Sequence, residues 1–120
     1  MEQYLVIAKT QEIKMNSFEI NTAHIFKHDV VIVGGGSAGI AAASSLLARS
    51  PYLDLAIIDP ADMHYYQPGW TMVGGGIFKV ESTGRAMADV IPVGAKWIQQ
   101  AVSSFDPDHN QLTLKNGQQV

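Results

Sequence analysis

The apolar positions of this chain fall into short blocks of different kinds rather than one repeating period. Val30 to Val33 is an unbroken apolar run closed by Gly34-Gly35-Gly36. A strand with one wet face would alternate, so this run predicts a central parallel strand buried on both faces. Ile40 to Ala48, IAAASSLLA, is rich in good helix formers and carries small residues on its early turns, as close approach to a sheet requires. Ser50-Pro51 stops that helix, because proline cannot continue it and disfavours helical geometry in the residue before. Leu55 to Ile58 is a second short apolar run, ending at Asp59-Pro60. The order strand, glycine turn, helix, strand predicts a βαβ unit.

Beyond Asp59 the rhythm changes. DPADMHYYQPGWTMVGGGIF is dense in aromatic residues, Pro and Gly and has no helical period, so an irregular segment is expected at the C-terminal edge of the sheet in place of the next helix. A short helix is predicted over Gly84 to Val90, before Pro92. The last part reads as antiparallel: one strand from Lys96 to Phe105, a polar turn over Asp106 to Asn110, a second strand from Gln111 to Lys115, and the two-residue turn Asn116-Gly117, with a third strand starting at Val120. The cluster Gly74-Gly75-Gly76 lacks a preceding apolar strand and is not a second copy of the first. Residues 1–27 mix acidic and basic residues without an apolar block and read as an extension ahead of the fold, with Met15 opening MNSFEINTAHIFK.

Composition narrows the chemistry. A chain of 120 residues with 47% hydrophobic residues is sized for one domain with a real core. Eight Lys+Arg against 11 Asp+Glu give a net charge of −3, without the basic stripe that nucleic acid needs. No run reaches the roughly 18 apolar residues of a membrane span, no signal peptide is apparent, and the early acidic residues argue against a mitochondrial transit peptide. There is no Cys, which removes thiol nucleophiles, thiolate metal sites and disulfides from what these residues do. His24, His28, His64 and His109 have no metal-ligand spacing and read as surface or loop residues. Lys79, Glu81 and Arg85 read as solvated charges. No catalytic residue and no metal site are assigned.

The informative motif is Gly34-x-Gly36-x-x-Gly39. Alone it is weak; here it follows an apolar strand, opens a helix, and is succeeded 20 positions after Gly39 by Asp59, at the end of the next strand. Gly34 serves the tight turn, Gly36 lets backbone approach a pyrophosphate, and Gly39 lets helix and strand pack closely. The helix N-terminus around Ser37 and Ala38 offers free N–H donors and partial positive charge to phosphate. Asp59 is expected to accept from an adenosine ribose with a free 2′-hydroxyl. These residues predict an ADP site.

Both nicotinamide and flavin dinucleotides contain ADP. The irregular segment after the second strand and the antiparallel hairpin favour FAD. In that arrangement the strand from Trp97 to Phe105 runs beside the adenine, and the backbone at Ala101-Val102 offers N–H and C=O to the base, although Val102 taken alone reads as core. In His64-Tyr65-Tyr66-Gln67-Pro68, packing is the simpler reading for Tyr65, Tyr66 and Trp70. Gln67 stands between a packed loop and a hydrogen bond to pyrophosphate or ribitol. The fold class is therefore α/β: the N-terminal part of a Rossmann-like FAD-binding domain with an antiparallel β-hairpin insertion, truncated, over residues 28–120.

VVIVGGGSAGI, AIIDPADMHYYQPGWTMVGGG, the STGR of Ser82 to Arg85 and VIPVGAKWI together resemble the sulfide:quinone oxidoreductases, flavoproteins of the disulfide-reductase type, and especially the branch with the mitochondrial enzyme. The resemblance implies an FAD enzyme that oxidises sulfide through redox cysteines and delivers two electrons to a membrane quinone. It implies a peripheral position on a bacterial or mitochondrial inner membrane, and FAD contacts at Ser37, Ala38, Asp59, Gln67 and Val102. Family members often carry Glu where Asp59 stands, and the shorter carboxylate still reaches. The family's cysteines and second dinucleotide-binding domain have no counterpart in these residues, so the chain is expected to be an N-terminal piece, inactive alone. Two alternatives stand beside it: a type II NADH dehydrogenase-like quinone reductase, and a non-catalytic ADP-binding module. The module is disfavoured because it would leave a sheet edge open.

Overall fold

The computed structural model describes residues 25–120; the extension expected over 1–27 lies outside them as far as residue 24. In chain order the elements are β1 (Val30–Val33), α1 (Ser37–Arg49), β2 (Leu55–Ile58), β3 (Met63–Tyr65), a 3-10 turn over Gln67–Gly69, α2 (Trp70–Gly74), a 3-10 turn over Val80–Thr83, β4 (Gly84–Ala86), α3 (Met87–Val90), β5 (Ala95–Ile98), β6 (Val102–Asp106), a 3-10 turn over Pro107–His109, and β7 (Gln111–Leu114).

The βαβ unit forms as its pattern predicts. β1 and β2 run parallel with Val30 opposite Leu55 and Val33 opposite Ile58. Between them α1 closes on Ser50, whose N–H returns to the Leu46 carbonyl at 2.8 Å, with Arg49 in the last turn complementing the negative helix end. Ala43 and Leu47, four apart and so on one face, are buried against the sheet.

The central strand is β2, not β1. The three parallel strands are ordered β1-β2-β5, every residue of β2 is buried, and Val33 of β1 is half exposed. A continuous apolar run signals cover on both faces, which the two strands share; it says nothing of neighbours along the edges. The alternation along the strands divides the core in two. Val30, Ile32, Leu55, Ile57 and Ala95 meet α1 through Ala43 and Leu47, while Val31, Ile58 and Ile98 meet Leu112, Leu114, Val102 and Val120 on the opposite face. The hairpin thus takes the place of a second helical layer. Burial of Leu55, Ile57 and Ile58 contributes about 1.5–3 kcal/mol each.

Two expectations are corrected here. The run from Lys96 to Phe105 is not one strand: Ala95–Ile98 joins the parallel sheet beside β2, with Ile58 opposite Ile98, and Val102–Asp106 pairs antiparallel with β7 in another sheet. The chain changes sheet at Gln99-Gln100-Ala101, where Gln100 N–H turns back to the Ile98 carbonyl at 2.8 Å. Likewise the helix expected over Gly84 to Val90 is only its second half, because Gly84–Ala86 is taken by antiparallel pairing with Met63–Tyr65. Asn116-Gly117 does turn the chain: Leu112 and Val120 then exchange N–H···O=C bonds of 2.9 and 3.0 Å, starting a third antiparallel strand. Backbone pairing also reaches ahead of His28, since Phe26 N–H bonds the Gln119 carbonyl at 2.9 Å.

His28 is not a surface residue. Its side chain is 6% exposed and its Nδ1 lies 2.9 Å from Asp54 Oδ1, which Lys96 Nζ also approaches at 3.0 Å. The hydrogen bond from His28, with a smaller effect from Lys96, holds the Asp54 carboxyl below the usual carboxylate range against the opposing effect of burial. A depressed acid stabilises the fold above its unfolded pKa, near 3.9, and that contribution is lost as pH falls through the lowered folded value. Asp54→Asn is expected to flatten the acid limb of a pH-stability curve below about pH 4, measured by urea unfolding, with little change in the curve's shape near neutrality. The effect is modest because the carboxylate is 40% exposed.

Candidate dinucleotide-binding site

The site is built where β1 turns into α1. Gly34 has φ 109°, a conformation that side-chain-bearing residues rarely adopt, and its N–H extends the β1–β2 ladder to the Ile58 carbonyl at 2.8 Å. At Gly39 a Cβ would lie 1.9 Å from the Gly34 carbonyl oxygen, so helix and turn touch backbone to backbone. At Gly36 the result is the reverse. Its φ of −72° suits any residue and a Cβ there meets nothing within 4 Å. No atom of the described residues requires glycine at position 36; an approaching ligand would.

Gly36 is the N-cap of α1 without a side-chain cap, and the first turn carries no acidic residue. The first intrahelical bond runs from Ile40 N–H to the Gly36 carbonyl at 3.0 Å, which leaves the N–H groups of Ser37, Ala38 and Gly39 without intrahelical acceptors. Gly36, Ser37 and Ala38 are exposed. The result is an exposed turn with free backbone donors at the positive end of a 13-residue helix.

Asp59 closes the floor. Its Oδ2 accepts from Gly35 N–H at 2.7 Å and its Oδ1 from Ala61 N–H at 2.8 Å. Its own N–H bonds the Ile98 carbonyl at 3.2 Å, and its carbonyl accepts from Trp97 Nε1 at 3.0 Å. The carboxylate is therefore aimed by the protein before any ligand arrives, and each oxygen keeps a lone pair for a further donor.

The aromatic segment folds over this turn. His64 Nδ1 lies 2.9 Å from the Gly35 carbonyl, so His64 belongs to the site rather than to a surface loop. Tyr65 and Trp70 pack on each other with centroids 6.2 Å apart, tilted by 55°, and Trp70 Nε1 donates to Thr83 Oγ1 at 3.2 Å. Thr83, 5% exposed, donates in turn to the Val80 carbonyl. The packing is partial, since Tyr65, Tyr66 and Trp70 all stay about half exposed. Arg85 is exposed, as expected of a solvated charge, and its guanidinium also donates to the neighbouring Ser82 and Gly84 carbonyls at 3.2 and 2.8 Å. His64, Tyr66, Phe78, Ser82, Thr83 and Arg85 line a cavity of about 360 Å³.

Gly34, Gly36, Ser37, Ala38, Gly39 and Asp59 thus converge on one turn. Gln67 is exposed on the 3-10 turn three residues after His64. Val102 packs against the cluster of Ile58, Leu112, Leu114 and Val120, and the Ala101 carbonyl, expected to be offered to a base, accepts from Lys115 N–H at 2.8 Å. Sequence reasoning missed Gly35, His64 and Trp97. Gly35 occupies a position that the glycine spacing leaves free, and the other two bond backbone carbonyls remote in sequence, which no spacing signals.

A parallel sheet, a glycine turn opening a helix and an acid at the next strand end form the pattern of a Rossmann-like dinucleotide fold. The chain belongs to the pyridine nucleotide-disulphide oxidoreductase family, whose model matches residues 28–120. It is 41% identical over 92 residues to the mitochondrial sulfide:quinone oxidoreductase of Dictyostelium discoideum, covering 76% of this chain and 20% of that protein. The mitochondrial sulfide:quinone oxidoreductase of Mus musculus is 36% identical over 93 residues, covering 78% and 21%. Among solved structures, the sulfide:quinone oxidoreductase of Aquifex aeolicus superposes with a TM-score of 0.66 at 29% identity, over 76% of this chain and 21% of that one. The chain spans about a fifth of the length of these curated relatives.

Proposed function

We propose that these residues hold FAD in a flavoprotein that oxidises sulfide and passes two electrons to a membrane quinone. The observation that carries the nucleotide reading is the exposed turn at Gly36, where an added Cβ would meet nothing within 4 Å. It offers the N–H groups that the first turn of α1 leaves without intrahelical acceptors, and it sits beside a pre-aimed carboxylate. In this reading the turn of Gly34, Gly36 and Gly39, with Ser37 and Ala38, takes the pyrophosphate and Asp59 takes the ribose. Gln67 reaches the ribitol side, and the backbone at Val102 faces the adenine. The substrate reading is supported by the 41% identity with a sulfide:quinone oxidoreductase, which extends beyond the glycine turn shared by many dinucleotide sites.

When bound, the flavin supplies a two-electron acceptor and donor. The role of these residues is to bind and orient it; with no Cys among them, the thiols that engage sulfide come from outside this stretch. No helix among the described residues is long and apolar enough to cross a membrane. The mitochondrial and bacterial relatives support a peripheral place for the parent flavoprotein on a bacterial or mitochondrial inner membrane.

The test is an anaerobic titration of the complete flavoprotein carrying these residues. Flavin absorbance is expected to bleach on adding sulfide and to return with quinone. Bleaching by NADH and not by sulfide would overturn the substrate reading in favour of an NADH:quinone reductase. For the 120-residue chain, ADP is expected to shift the amide resonances of Gly36, Ser37 and Ala38; unchanged spectra at saturating ADP would overturn the nucleotide reading.

A further inference from the structure

Gly35 is gripped on three sides. Its N–H is held by Asp59 Oδ2 at 2.7 Å, its carbonyl by His64 Nδ1 at 2.9 Å, and a Cβ on it would lie 2.9 Å from Met87 Sδ, the side chain that opens α3 and is 2% exposed. Met87 is fixed in turn by its N–H to the Asp62 carbonyl at 2.8 Å. A carbonyl oxygen only accepts, so Nδ1 must carry the proton and the neutral ring is confined to the Nδ1–H tautomer. The Gly35 carbonyl belongs to the same peptide plane as the Gly36 N–H, and planarity makes the two point in opposite directions. Fixing the carbonyl toward His64 therefore fixes the Gly36 N–H toward the other side, where the turn is open.

We propose that His64 is a positioning residue: with Asp59 it clamps Gly35 and so presets the Gly36 N–H, and with it the start of α1, for a pyrophosphate. The inference rests on the proposed nucleotide site. It adds a second duty to Asp59, whose Oδ2 holds the turn as well as facing the ribose, and gives the HYYQP segment a role in the phosphate turn.

Two variants test it in the 120-residue chain, with ADP as the probe. His64→Phe keeps the ring volume and removes the donor; ADP affinity is expected to fall about tenfold, as loss of one preorganising hydrogen bond implies. His64→Asn places an amide donor near the Nδ1 position and is expected to recover most of that loss. Urea unfolding of both variants separates this from a stability effect, because general destabilisation would not be repaired by Asn. The wild-type imidazole ¹⁵N spectrum is expected to show the Nδ1–H tautomer. Equal ADP affinity for wild type and His64→Phe, or an Nε2–H tautomer, would overturn the clamp. If wild type itself does not bind ADP, the nucleotide reading falls and the tautomer still decides whether His64 holds Gly35.

Discussion

Gly39→Ala is expected to destabilise the protein by at least about 2 kcal/mol, although alanine is the better helix former by about 1 kcal/mol. The new Cβ would stand 1.9 Å from the Gly34 carbonyl oxygen, 3.1 Å from the Gly34 carbonyl carbon and 3.3 Å from Ile32 Cγ2. The first two are backbone atoms, which cannot swing aside as the end of a side chain would. Gly34 is held by its left-handed φ and by its N–H to Ile58, so relief requires α1 to lift from β1. That movement opens the cluster of Ile32, Ile40, Ala43 and Leu47. Against a total stability of roughly 5–15 kcal/mol the loss is large. A urea midpoint that rises in Gly39→Ala, as helix propensity alone would have it, would show that helix and turn do not touch in this way.

The same substitution three residues earlier is expected to do the opposite. Gly36→Ala adds a methyl where nothing lies within 4 Å, at a φ that alanine adopts freely, so stability should change by no more than about 1 kcal/mol, the cost of a poorer N-cap. ADP affinity, in contrast, is expected to fall by about ten- to a hundredfold, the equivalent of one charge-assisted hydrogen bond to phosphate lost to the intruding methyl. Calorimetric titration of the folded variant checks this directly. Unaltered ADP binding would mean that phosphate does not approach the turn at Gly36.

The contrast shows how the sequence carries this site. The spacing of Gly34, Gly36 and Gly39 is legible because each answers a separate local demand, and Asp59 is legible because β2 must end beside that turn. α1 is legible from its small and straight-chain residues and its stop at Ser50-Pro51. The return of the chain after β7 is legible from Asn116-Gly117, since few dipeptides turn antiparallel strands so readily. What escapes is pairing chosen by distant partners. Gln99-Gln100-Ala101 contains no breaker, yet the backbone leaves the parallel sheet there because β2 has room for four residues of β5 and β7 claims the next block. Gly84–Ala86 looks helical with its successors, yet Met63–Tyr65 supplies a competing partner across the loop. His64 and Trp97 contribute single hydrogen bonds to backbone carbonyls 29 and 38 positions away, contacts without any periodicity.

The pairing of Met63 with Ala86 and of Tyr65 with Gly84 brings the two ends of the aromatic segment together. The stretch between them is therefore a detachable cassette. Because closing it is already accomplished by β3 and β4, each doubling of its length would cost only about 0.6 kcal/mol in closure entropy. The strands beneath would keep their spacing. His64 within β3 and Met87 just past β4 reach the glycine turn from its two ends, so a replacement has to respect those anchors and, in the proposed cofactor site, Gln67. The glycine turn below and the aromatic segment above can thus be varied separately, apart from those anchors.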